Sequence, residues 1–127
     1  MTSYELQLEP ERSNVALARR FVMDAIHRLG RDKYADVAEL LTSELVTNAV
    51  LHAGTTVQVT VSDEADGLRV EVTDHSAAAP QRRRYSAEAA TGRGLGLVES
   101  LASAWGTRSG SPGKTVWFTL LPDALLL

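Results

Sequence analysis

The 127-residue chain contains no cysteine, which excludes disulfide frameworks, thiol nucleophiles and zinc–thiolate sites and leaves the fold to rest on packing alone. Redox chemistry by the protein itself is excluded with them. A basic excess is also missing. Thirteen Lys+Arg against sixteen Asp+Glu leave a formal charge of −3, whereas a module living on phosphate-backbone contacts carries the opposite imbalance. No direct nucleic-acid partner is expected. No apolar run approaches the eighteen or so residues of a membrane span. The stretch from Met1 to Pro10, with Glu5 and Glu9, has no apolar segment of the kind a signal peptide needs. These readings predict a cytoplasmic chain with no membrane contact. Lysine is scarce, two against eleven arginines, which reflects base composition and carries no functional reading. No internal repeat is present.

What is there is 44% hydrophobic and 23% charged. At roughly 100 to 200 residues per domain this predicts one domain over residues 1–127, with a core large enough to fold unaided. Tyr4, Leu6 and Leu8 alternate with Glu5 and Gln7 and suit a short edge strand ended by Pro10. Ser13 offers an N-cap to an apolar-periodic stretch, Leu17, Phe21, Ala25, Ile26 and Leu29, closed by Gly30. A second helical pattern runs from about Tyr34 to Ala53 and closes at Gly54. Val57, Val59 and Val61, then Leu68, Val70 and Val72, alternate on either side of the turn Ala65-Asp66-Gly67, which predicts a hairpin.

From His75 to Arg93 the periodicity disappears, and Arg82, Arg83 and Arg84 follow a small, rigid run from Ala77 to Pro80. A loop of that length inside a compact domain is a lid or a binding loop. Helical spacing returns from Leu95 to Trp105, and Thr115 to Leu121 reads as a last strand. Hairpins with helices gathered on one side predict an α+β fold, a two-layer sandwich with a mixed or antiparallel sheet.

The second helix carries the first chemical signal. At roughly 100° per residue, Val37, Leu40, Leu41, Leu45 and Leu51 share one arc, and Glu44, Asn48 and His52 fall within it. Asp36, Glu39 and Ser43 already supply a solvent face. A carboxylate withdrawn from water without a partner costs several kcal/mol, so this placement asks for a cavity, an ion or a ligand. The plainer alternative pairs Glu44 with an arginine and leaves His52 to cap the helix C-terminus.

Gly92-Arg93-Gly94-Leu95-Gly96 is the second signal. Glycines let the backbone approach a ligand, and a helix start offers amides to a phosphate. The spacing differs from the dinucleotide fingerprint, and a long loop precedes it where that fingerprint has a strand. Gly110 to Thr115 mimics a phosphate-binding loop, but Arg108 stands where such a loop needs glycine, and Thr115 leads into a strand and not a helix. Asp74, at the end of the strand beginning at Leu68, is the third signal; aspartate also ends strands for purely local reasons.

Together these features resemble the ATP-binding domain shared by gyrase, sensor histidine kinases and the anti-sigma factor serine/threonine kinases, the Bergerat-type or GHKL fold. Glu44-Leu-Val-Thr-Asn48-Ala-Val-Leu-His52 is similar to the N-box of the anti-sigma branch, and Gly92 to Leu97 to its second glycine box. The resemblance runs from the first strand to Val116-Trp117-Phe118. It implies ATP and Mg²⁺ as cofactors. Asn48 would take the Mg²⁺ and Glu44 would act as general base. Asp74 would accept the adenine amino group. Gly92, Gly94 and Gly96, with Arg93 beside them, would line the phosphates, and Thr115 would hold the water layer around adenine. One departure stands out. The first glycine box of the family reads DxGxG, and here it is Asp74-His75-Ser76-Ala77-Ala78, where a side chain at 76 or 78 would crowd the nucleotide or stiffen the lid.

The resemblance implies a serine/threonine kinase that regulates transcription by partner switching. Such a protein holds a sigma factor and phosphorylates an anti-sigma antagonist, and dimers are frequent in the branch, with the first strand free to pair across a two-fold. The alternative is a non-catalytic module of the same fold that sequesters its partner. Intact Glu44 and Asn48 favour the first reading, the altered glycine box the second. A third, a phosphodonor domain of a sensor histidine kinase, expects a phosphoacceptor helix pair before the first strand.

Overall fold

Alternating side chains build the sheet from its edge inward. In the computed structural model, which describes residues 2–52, 54–75, 95–110 and 113–122, strand β1 (Ser3–Leu8) sets Tyr4, Leu6 and Leu8 opposite Val61, Val59 and Val57 of β2 (Val57–Glu64). The β2–β3 hairpin turns through Ala65 and Asp66, with Ala65 at φ 51°, and β3 (Gly67–Asp74) continues the pattern with Leu68, Val70 and Val72 buried. Arg31 anchors this turn by donating from Nε to the Gly67 carbonyl at 3.1 Å and approaching Asp63 at 3.6 Å.

Strand β5 (Lys114–Leu120) pairs with β3, and β4 (Ala104–Ser109) pairs with β5, giving the order β1-β2-β3-β5-β4. All four pairings are antiparallel, so the sheet is not mixed. The face opposite the helices carries Arg69 stacked over the Trp117 ring at 4.2 Å and bonded to Glu71 at 2.8 Å.

Helix α1 (Asn14–Leu29) lies against β1 and β2, and α2 (Ala35–His52) against α1, β2 and β3. A 3₁₀ turn, Asp32–Tyr34, joins the two helices. Gly30 ends α1 in the left-handed region at φ 72°, donating its N–H to the His27 carbonyl while Arg31 donates to Ile26. Ser13 does not act as the expected cap. Its backbone is already helical at φ −61° and ψ −22°, its side chain makes no cap bond, and Asn14 Nδ2 instead donates to the Glu9 carbonyl at 2.9 Å.

The helix expected from Leu95 to Trp105 stops early. Helix α3 (Leu95–Leu101) packs on α2 and β4, and Trp105 belongs to β4, opposite Phe118. Ala104–Ser109 has one bulky apolar residue and an internal glycine, so its own periodicity is weak. Pairing with β5 makes it a strand. The core between sheet and helices is formed by Val22, Ile26, Leu41 and Val46 above and by Val59, Val61, Val70 and Phe118 below, all fully buried.

Candidate functional site at one end of the core

Three chain segments end at the same edge of the sandwich. Helix α2 reaches its last residue at His52, and β2 starts five residues later at Val57, which lies opposite Asp74, the last residue of β3. The link is tightened by His75, whose backbone N–H donates to Thr55 Oγ1 at 2.9 Å. Strand β5 starts alongside, with Thr115 opposite Thr73. Extending that register by one residue sets Lys114 across from Asp74, on the same face as Val72 and Val116. The last turn of α2, the end of β3 and the start of β5 therefore converge.

This end of the core is polar where the rest is apolar. Asp74 is 4% exposed and Lys114 8%, and Lys114 Nζ stands 4.0 Å from Asp74 Oδ2. Two charges drawn out of water are tolerated here because each offsets the other. Gly113 closes the floor: a Cβ there would meet the Asp74 carbonyl oxygen at 2.2 Å, so only glycine lets β5 approach the end of β3 this closely. On the opposite face of the sheet, Thr73 Oγ1 and Thr115 Oγ1 share a hydrogen bond of 2.8 Å. Thr115 is buried, and its hydroxyl locks the β3–β5 register beneath the site.

Asn48 is the informative member of the α2 stripe. It is 6% exposed, and its buried Nδ2 has no hydrogen-bond partner among the described residues. A native core leaves few such atoms, and each calls for a reason. His75 Nε2, one residue past Asp74, is likewise buried and unpartnered among the described residues. Two polar atoms without partners among the described residues, on segments that end at the same edge as a buried carboxylate, make this end of the core the candidate ligand site.

The rest of the stripe departs from the helical-wheel expectation. Leu40 and Leu51 are 40% and 46% exposed, His52 is exposed and Glu44 half-buried. The buried arc is centred instead on Ala38, Leu41, Thr42, Leu45 and Val46. Apolar residues surround α2 on nearly every side, so sequence periodicity alone located its inner face imprecisely. Glu44 makes no ion pair with an arginine among the described residues. It sits one turn before Asn48, on the flank between core and solvent.

Of the second glycine box only Gly96 is described with its surroundings; it is exposed, within α3, with open space where a Cβ would stand. Gly92, Arg93 and Gly94, the altered box positions Ser76 and Ala78, and the arginines at 82–84 lie outside the described residues. Lys114 was missed by the sequence reading, which treated Gly110 to Thr115 only as a false phosphate loop. Lys114–Leu120 is a strand and not a helix, as expected there. The signal for Lys114 was its place in the period-two pattern with Val116 and Phe118.

A family model described as the histidine kinase-like ATPase domain matches residues 7–120. Among solved structures, the RsbU and RsbW domains of Rv1364c from Mycobacterium tuberculosis align with a TM-score of 0.70 at 20% identity. The alignment covers 94% of this chain and 32% of that one, so this chain spans about a third of that protein's length. That likeness establishes the shared α+β fold. None of the curated proteins matches the chain significantly.

Proposed function

Because the chain belongs to the histidine kinase-like ATPase domain family, we propose that the polar end of its core binds an adenine nucleotide with Mg²⁺ and that Glu44 uses it for phosphoryl transfer to a protein hydroxyl. The observation that carries this reading is the buried amide of Asn48 in the C-terminal part of α2, its Nδ2 without a partner among the described residues, on the helix that ends at the same edge of the sandwich as Asp74. A buried acceptor-only carboxylate suits the adenine amino group. Thr115 steadies the strand from the opposite face of the sheet through its hydrogen bond with Thr73.

The donor set also fits the metal as a companion of the phosphates. No group of three or more His, Asp or Glu side chains able to hold a metal occurs among the described residues. Mg²⁺ commonly keeps several waters and takes substrate phosphates with only one or two protein oxygens. Asn48 would supply a carboxamide oxygen and leave its Nδ2 for a phosphate. When bound, the ion would offset developing charge on the transferred group. Gly92, Gly94 and Gly96, with Arg93, would take the phosphate side. Glu44, half-buried and in no ion pair among the described residues, would accept the proton of an attacking hydroxyl from the solvent side.

The fold shared with an RsbW domain supports an anti-sigma-like role: the protein holds a sigma factor and phosphorylates an antagonist, so that the partner it keeps depends on the nucleotide. A second reading, a binding module without turnover, draws support from Ser76 and Ala78 in place of the box glycines. Calorimetry with ATP and Mg²⁺ tests the nucleotide reading. Binding is expected, and Asp74→Asn should weaken ATP about tenfold by trading an acceptor for a group that also donates. Absence of heat and of thermal stabilisation at millimolar ATP would overturn it. Binding without phosphoryl transfer to any protein of the native cytoplasm would select the module.

A further inference from the structure

The geometry points to Lys114 as a second base-reading residue, its ammonium donating to the ring nitrogen next to the amino group that Asp74 accepts. This rests on the adenine-nucleotide reading and deepens it. Asp74 and Lys114 face each other across β3 and β5 at the end of the register that pairs Val72 with Val116. Both are nine-tenths buried. Their separation of 4.0 Å exceeds a charge-assisted hydrogen bond, which runs to about 2.9 Å. They therefore attract one another while standing as an acceptor and a donor side by side.

That pairing has a chemical complement. The edge of adenine presents an amino donor and, adjacent to it, an unprotonated ring nitrogen that only accepts. A carboxylate reads the first and is repelled by the second. An ammonium, which carries three donors and no acceptor, reads the second. Purely structural pairing would need neither charge buried at the polar end of the core, since a residue such as valine continues the β5 pattern at no desolvation cost. The flexible stem of lysine lets the ammonium meet a base held by Asp74 without breaking their mutual attraction.

The test compares ATP with its 1-deaza analogue, in which a C–H replaces that ring nitrogen and the amino group is kept. Binding is measured by calorimetry with Mg²⁺. The wild-type protein should prefer ATP by about tenfold, because the analogue keeps the amino group that Asp74 accepts but loses the charge-assisted hydrogen bond from Lys114 to the ring nitrogen. In Lys114→Met the preference should fall to about one. Should that variant not fold, the pair Asp74→Asn with Lys114→Met removes both charges together and should show the same ratio, while Asp74→Asn alone keeps the preference. A wild-type ratio near one, or a preference that survives loss of Lys114, overturns the assignment and leaves adenine binding intact. Failure to bind either compound overturns the adenine reading itself.

Discussion

Replacing Asn48 by leucine should stabilise the protein without nucleotide and cost it the nucleotide. Asn48 is 6% exposed and its Nδ2 has no partner among the described residues, and an orphaned buried amide costs about 1–3 kcal/mol. Leucine has a similar volume and removes that cost. Burying its methyls returns about 1 kcal/mol, and fitting a branched side chain into a space shaped for a planar amide costs about 1–2 kcal/mol. At mid-range the expected net gain is about 1.5 kcal/mol, or about 4–8 °C in Tm for a chain of this size. Thermal melts of the two proteins, with and without ATP and Mg²⁺, make the check. At a nucleotide concentration 100 times Kd the wild type should gain about 2.7 kcal/mol and the variant almost nothing, so the order of stabilities reverses. If Asn48→Leu melts below the wild type in the absence of nucleotide, the amide is a structural partner and its assignment to a ligand is wrong.

Glu44→Gln should leave ATP affinity within about twofold and abolish phosphoryl transfer, read by calorimetry beside radiolabel transfer; joint loss of binding and folding would make Glu44 structural. Gly113→Ala forces a Cβ to within 2.2 Å of the Asp74 carbonyl, which should cost about 1–3 kcal/mol in urea unfolding and weaken ATP as the end of β3 shifts. Gly96→Ala meets open space within a helix and should instead add about 0.5–1 kcal/mol; an equal loss in both glycine variants would show that steric approach is not what selects Gly113. Partner affinity should differ between ATP and ADP, and the partner should change nucleotide affinity by the same factor, which pull-downs under each nucleotide followed by mass spectrometry would reveal.

Period-two and helical patterns were enough to place β1, the β2–β3 hairpin, both long helices and β5, because each of these buries one face and that burial is written in alternation or in 3.6-residue spacing. The buried position of Asn48 was legible for a related reason: a polar group stood where the local pattern demanded an apolar one. Strand β4 was not legible. Ala104–Ser109 has no strong preference of its own and becomes a strand by completing the hydrogen bonds of β5. The inner face of α2 was equally hidden, since leucine and valine surround that helix and only its contacts with α1, β2 and β3 choose among them. Lys114 shows the limit most sharply. Its residue type and its strand can be read in the chain, but its role depends on lying across from Asp74, forty residues away in sequence. Non-local pairing of that kind is a property of the sheet register, and register is set by the packing of the whole sandwich.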